Sequence, residues 1–446
     1  MNKNYLYLGK GYERQFQQWF ANCMKVIHPE LNITDLSTMN VTIVVTKACN
    51  FACTYCYQQG KTPERMTWET AKETVDFLLS DRVNNYIDPD NSNCIILDFI
   101  GGEPLLEIEL IDKFMDYFIY EAFRLNHRWA TNYSISMSSN GSLYETKKVQ
   151  DFIKKYNGRV HIGITIDGDK ELHDSCRVYH DGKGTYDDVA RNMRLYLDQN
   201  GHPSTKVTIC PENLKYLCDS SIHLFKMGLK WLNCNVVFED VWSVEYAKEL
   251  YHQLKMLADI MIGEELYTEH AQVIFDEDIG TPMDPSDNQN WCGGDGRMLA
   301  IDPEGRCYPC LRYMDYCLSV PNREPFVIGN IHNGIIDREE SPMMMELKSI
   351  TRESQSTEEC FNCPIAKGCS WCTAFCYDIN GTPNKRVTFH CIMQKARVLA
   401  NSYYWNSLYR HLGLSDRFEY HVPDEWALEI IDRNELDMLR ELSRED

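Results

Sequence analysis

The chain of 446 residues sets 45 Lys and Arg against 66 Asp and Glu, a net charge of −21, and contains 19 cysteines. At about 150 residues per domain it has room for two or three domains with proper cores, and its 43% hydrophobic and 25% charged residues exclude disorder as the main state. The acidity argues against nucleic acid or an anionic membrane as principal partner, because both require clustered Lys and Arg.

The first residues, Met1 to Tyr7, lack the basic-then-apolar profile of a signal peptide, and no apolar run approaches the ~18 residues of a membrane span. Both features predict a cytoplasmic protein. In a reducing compartment a dense cysteine set points to metal binding or chemistry rather than disulfides, and an odd total does not suit a fully paired framework.

Residues 1–40 form an N-terminal extension. From 41 to 245, short β-branched runs alternate with amphipathic stretches, as in a parallel sheet wound with helices. The predicted strands are Val41–Thr46, Cys94–Ile100, Tyr133–Ser138, Val160–Ile166, Thr205–Cys210 and Trp231–Phe238. The helical stretches between them are Thr67–Leu79, Ile111–Phe123, Tyr186–Leu197 and Leu214–Met227, with a capping-type Thr67-x-x-Thr70 opening the first. Six βα units give a partial (β/α)6 TIM-like barrel of α/β class. Its post-strand loops carry Cys49, Cys53 and Cys56, then Gly101-Gly102-Glu103-Pro104, Ser139-Asn140-Gly141, Asp167-Gly168, Pro211-Glu212-Asn213 and Glu239-Asp240, all expected on one face.

A bridging helix and linker follow over 246–290, the helical pattern running Val244–Ile262. The stretch 291–400 is turn-rich and poor in long apolar periods, and ten of the 19 cysteines fall between Cys292 and Cys391. That composition is expected of a small domain held by metal. Residues 401–446 read as an acidic, helical C-terminal tail.

Cys49-x3-Cys53-x2-Cys56 puts three thiolates in one short loop, enough for three irons of a cubane while one iron stays open. Zinc would need a fourth ligand, and no His or Cys follows within the next dozen residues. With Tyr55 just before the last Cys and a strand just before the loop, the motif resembles the radical S-adenosylmethionine (SAM) enzymes. In that family the open iron chelates SAM, and one electron from the cluster cleaves it to methionine and a 5′-deoxyadenosyl radical. The resemblance extends to Gly101, Gly102 and Glu103, similar to the glycine-rich motif at the methionine amine, and to Thr165-Ile166-Asp167-Gly168, similar to Ser-x-Asp-Gly with Thr165 keeping the hydroxyl. It also implies Asn140 at the ribose and Arg177 at the SAM carboxylate, a role suited to a forked guanidinium.

The second cysteine region resembles the SPASM domain, which implies two auxiliary [4Fe–4S] clusters and so three cubanes in all. Carried over residue by residue, Cys360, Cys363, Cys369 and Cys391 would bind the outer cluster, and Cys292, Cys310 and Cys372 the inner one. The usual spacing would put a Cys at Thr373, so the inner set departs from the pattern. Its fourth ligand stays open among Cys307, Cys317 and Cys376, or is absent.

Peptide maturases within this family form thioether crosslinks, while anaerobic sulfatase maturases form formylglycine and carry an Asp directly after the second SPASM cysteine. Here that residue is Leu311. The stretches Cys369-Ser370-Trp371-Cys372-Thr373-Ala374 and Asn235-Val236-Val237-Phe238-Glu239-Asp240-Val241-Trp242 resemble thioether-forming maturases of cysteine-rich or CXXX-repeat precursors, the sactipeptide and ranthipeptide class. The resemblance implies a precursor peptide and an electron donor such as flavodoxin or ferredoxin as partners. No catalytic side chain is assigned. The alternatives are formylglycine formation and, in another class, a non-catalytic zinc-stabilised scaffold.

Overall fold

The computed structural model describes residues 38–83, 86–87, 92–289, 292, 294, 298–336 and 341–444. Residues 1–37 of the expected N-terminal extension, Cys23 included, lie outside these. Among the described residues no helix is long and apolar enough to cross a membrane.

The predicted strands are present with ends shifted by at most three residues: β1 Thr38–Thr46, β2 Cys94–Gly101, β3 Tyr133–Ser139, β4 Val160–Thr165, β5 Ser204–Ile209 and β6 Trp231–Val236. They pair in parallel in chain order. Helices Trp68–Leu78, Ile108–Arg124, Lys147–Lys155, Tyr186–Gln199 and Leu217–Met227 fall between them. Thr67 caps the first, its side chain accepting from the Thr70 amide at 3.0 Å.

Alternation along the strands decides which face meets the helices. In β3, Tyr133, Ile135 and Met137 are buried while Ser134, Ser136 and Ser138 stay partly open. The apolar side packs on helix Ile108–Arg124 through edge-on pairs, Phe99 with Phe114 at 5.2 Å and Phe118 with Tyr133 at 5.9 Å. The opposite, concave side is polar.

The sheet is longer than six strands. A two-residue β7, Ala271–Gln272, joins β6 in parallel, and β8, Met298–Ile301, joins β1 in parallel. Beyond β8 the order continues antiparallel through β9 Arg306–Tyr308, β10 Gly329–Asn330 and β11 Gly334–Ile335. The second cysteine region thus extends the barrel sheet and covers the edge of β1, which would otherwise expose unpaired backbone groups.

The C-terminal residues are packed rather than loose. Helix Cys391–Leu412 runs through residue 400 and lies against helix Val244–Gly263. Helices Asp424–Ile430 and Arg433–Leu442 close over this pair, burying Ala427, Ile430, Leu436 and Leu439. Each buried leucine stabilises the arrangement by about 1.5–3 kcal/mol. Lys255 fixes Glu435 at 2.6 Å.

Candidate active site

β1 ends at Thr46 and delivers Cys49, Cys53 and Cys56 to the mouth of the sheet, each half-buried. The loop is anchored to the segment after helix Lys170–Cys176: the Ala52 amide donates to the Val178 carbonyl and the Thr54 amide to the Cys176 carbonyl, at 2.7 and 2.9 Å. Cys49 feels the charge of Cys53, and Cys53 that of Cys56. Burial pushes the Cys49 thiol up to about 11. Lys61 lies among all three and hydrogen-bonds Cys56. Burial alone would lower its pKa, but the three thiolates outweigh burial and raise it.

Gly101 and Gly102 pack directly on this loop. A Cβ at Gly101 would stand 2.0 Å from the Thr46 carbonyl oxygen, and one at Gly102 would stand 2.2 Å from the Ala48 oxygen and 2.8 Å from the Cys49 Cβ. The Gly102 and Glu103 amides donate to Thr46 and Ala48 at 3.0 and 2.9 Å. Backbone against backbone is the reason for two glycines here. Gly102→Ala is expected to displace the loop, destabilise the fold by roughly 1–3 kcal/mol, and lower bound iron by about four per chain. Iron analysis and denaturant unfolding of the variant check this.

Glu103 is 1% exposed, and its carboxylate accepts from Leu105 N at 3.1 Å, Ser139 Oγ at 2.8 Å and Asn140 N at 2.7 Å. Burial raises its pKa, while these donors act in the opposite direction. Resemblance placed this acid at an amine; the structure uses it first to join the loops after β2 and β3. The same holds for Asn140. Its Nδ2 donates to Asn50 Oδ1 at 2.8 Å, 4.0 Å from the Cys49 sulfur, while its Oδ1 accepts from Ser142 N and Oγ at 3.0 and 2.7 Å. The carboxamide clamps the cysteine loop instead of facing outward to a ribose.

Arg177 and Tyr55 meet in the structure, with Asp167 as a third partner. The guanidinium donates through Nη1 to the Tyr55 hydroxyl at 2.8 Å, and that hydroxyl donates to Asp167 Oδ2. Burial raises the Asp167 pKa, with Arg177 and Tyr55 opposing it. Arg177 Nε is buried with no partner in the protein, so the guanidinium retains one N–H for an anion such as the SAM carboxylate. Thr165 ends β4 on the polar face, half-buried. Tyr55→Phe would leave Asp167 and Arg177 each one partner short, an expected cost of about 1–3 kcal/mol in denaturant unfolding.

The remaining cysteines form two groups. Cys363, Cys369 and Cys391 each feel Cys360, and Arg386 lies among the four, its Nη1 3.4 Å from the Cys360 sulfur. Cys310 feels Cys372 and Cys292, so the expected inner set is also together. Thr373 Oγ1 sits 3.0 Å from the Cys292 sulfur. Of the three open candidates, Cys376 feels Cys372 and Cys292. Among the described residues Cys307 has only Asp302 as charged neighbour, and Cys317 lies with Cys56 and Tyr57 beside the first loop.

Arg312 links the inner group to the first loop. Its guanidinium stacks on Tyr57 at 4.5 Å and lies 5.9 Å from the Phe375 ring, with Cys372 and Glu239 in its field. Lys61, Arg312 and Arg386 are the functional residues that motif reading missed. Their signal was available, because each lies within five residues of a cysteine in its own group. A thiolate-bound cubane is an anion, and burying an anion requires a partner charge. Three cysteine groups, each with at least one cation, fit three such clusters. Among the described residues no three His, Cys, Asp or Glu side chains are gathered tightly enough for a single metal ion, whereas ligands of a cubane bind different irons and stand further apart.

Comparisons with known proteins agree with this geometry. Residues 43–214 match the Radical SAM superfamily. The uncharacterized protein MJ0907 of Methanocaldococcus jannaschii is 30% identical over 194 residues, 43% of this chain and 60% of that protein. The radical SAM cyclopropyl synthase TigE of Paramaledivibacter caminithermalis is 21% identical, covering 74% and 66%. A cysteine-type anaerobic sulfatase-maturating enzyme of Clostridium perfringens is 21% identical, covering 78% and 91%. The chain thus spans less than two thirds of the length of the first two. Among solved structures, anSMEcpe with bound AdoMet and Cp18Cys peptide superposes with a TM-score of 0.59 at 17% identity, covering 83% of this chain and 98% of that one. Streptococcus suis SuiB bound to precursor peptide SuiA gives 0.52 at 12%, covering 86% and 81%. Over residues 43–214 the chain is therefore similar to the Radical SAM superfamily.

Proposed function

We propose that the protein is a peptide maturase that forms Cys sulfur-to-carbon thioether crosslinks in a ribosomally made, cysteine-rich precursor. The observation that carries this reading is the inner cysteine group, joined to the first cysteine loop through Arg312 and Tyr57. SAM on the first cluster would supply a 5′-deoxyadenosyl radical for hydrogen abstraction. The chain's own residues would hold the parts: Cys49, Cys53 and Cys56 the first cluster, Arg177 Nε the SAM carboxylate, and Cys292, Cys310 and Cys372 an inner auxiliary cluster, an acceptor for the electron released when the carbon radical bonds the Cys sulfur and its thiol proton leaves. Leu311, where sulfatase maturases carry Asp, opens a short helical turn and is followed by the cation Arg312. Solved structures of similar fold with a bound peptide, anSMEcpe with Cp18Cys peptide and SuiB with precursor peptide SuiA, support a peptide partner.

Formylglycine formation is the second reading, favoured by the sulfatase-maturating relative and by Glu239, a carboxylate facing Arg312 that could serve as base. Anaerobic incubation of reduced enzyme and SAM with a cysteine-rich precursor tests the choice by mass spectrometry. Loss of two hydrogens per crosslink with fewer alkylatable thiols is expected. An aldehyde on a sulfatase peptide, with no change in the precursor, would replace the thioether reading by the second one.

A further inference from the structure

The concave face of the sheet is polar where a closed barrel would be packed with branched apolar side chains. Register fixes who meets whom: Asp98 opposite Ser136, Ser136 opposite His161, Ser138 opposite Gly163, and Thr165 opposite Lys206. Lys206 starts on β5 yet its ammonium donates to Ser138 Oγ on β3 at 3.1 Å, so its side chain crosses the whole of β4. Gly163 on β4, opposite Ser138, adds no side chain to this face. A Cβ there would come within 4.0 Å of the His161 ring.

Asp98, Ser136, Ser138, His161 and Lys206 thus share one face: Lys206 bonds Ser138, its charge reaches His161 and Asp98, and Asp98 bonds Ser136. Lys206 and His161 are exposed, yet desolvation and then the Lys206 charge hold the His161 imidazole below its ordinary pKa. Solvent access combined with desolvation marks the wall of a cleft. Asp98 hydrogen-bonds Ser136 and feels Lys206, but among the described residues no carboxylate stands within ion-pair distance of that ammonium. In a chain with 66 acidic residues, a cleft cation held on a neutral serine has its charge available for a ligand. The cleft adjoins Thr165, at the mouth that carries the first cysteine loop.

We propose that Lys206, with the Ser138 hydroxyl, is a carboxylate-binding subsite that selects peptide substrates carrying an acidic side chain near the residue to be modified. The inference rests on the peptide-maturase reading and names its substrate class. The ligand chemistry is a carboxylate, whose other source would be the methionyl group of SAM. Arg177, with its unpartnered Nε, already provides for that one.

The test uses the full chain with its clusters reconstituted anaerobically, SAM present and no reductant. Synthetic amidated hexapeptides with one Cys, differing only in an adjacent Asp, Glu, Asn, Gln or Lys, are compared by equilibrium dialysis. Asp and Glu peptides are expected to bind about tenfold more tightly than their amide counterparts, a difference of about 1.4 kcal/mol. Lys206→Gln should abolish the preference and Lys206→Glu should turn it toward the Lys peptide, with iron content and circular dichroism certifying folding. Equal binding of acidic and amide peptides by the unaltered protein, or no binding of either, overturns the proposal. So does a Lys206→Gln variant that loses SAM affinity while keeping the acidic preference. Failure of the maturase reading would show separately, as absence of 5′-deoxyadenosine from reduced, unaltered enzyme.

Discussion

Cys53→Ala is expected to abolish formation of 5′-deoxyadenosine and to lower bound iron from about twelve to about eight per chain. Cys53 is the central thiol of its loop, in the field of Cys56 and of Arg177. Its loss leaves two protein ligands and removes the anion that Lys61 and Arg177 face. The other two cysteine groups hang on separate elements, the outer one on Cys360, Cys363, Cys369 and the first residue of helix Cys391–Leu412. Their iron should therefore survive, visible as the remaining signal in electron paramagnetic resonance after reduction. Iron falling to about four, or 5′-deoxyadenosine persisting, would sink the assignment of independent clusters.

The strands and the cysteine loop were legible because both are local. Alternation such as Tyr133, Ile135 and Met137 against Ser134, Ser136 and Ser138 encodes a face directly, and three thiols within eight residues encode a ligand loop. What the sequence concealed is non-local. Four residues, Met298–Ile301, have no period from which a strand parallel to β1 could be read, yet that pairing sets the inner cysteine group beside the first loop. Asn140 and Glu103 were placed by resemblance at cofactor contacts. Their polar atoms instead satisfy buried donors and acceptors of neighbouring loops, a demand fixed by tertiary packing and invisible in spacing.

The opposite blind spot was the count of ligands. Sequence spacing left Cys307, Cys317 and Cys376 as equal candidates for the inner cluster, and packing separates them. Cys307 lies in β9 at 0% exposure, and Cys317 sits beside Cys56 and Tyr57. Cys376 follows Cys372, the extended N-cap of helix Thr373–Asn380, by four residues; its amide donates to the Cys372 carbonyl at 2.9 Å, and its thiol feels Cys372 and Cys292. The proposal that Cys376 completes the inner set predicts that Cys376→Ala loses about four of roughly twelve irons. Cys307→Ala and Cys317→Ala should retain all of them while losing only about 1–2 kcal/mol of stability for a small buried side chain. Thr373→Val should also retain them, since its hydroxyl hydrogen-bonds Cys292 in place of ligating. Should Cys376→Ala keep full iron, the inner cluster has three protein ligands and an open iron, the arrangement that would let a substrate thiolate bind it directly. Iron content of these four variants thus decides whether the inner cluster binds substrate or only carries electrons away from the first.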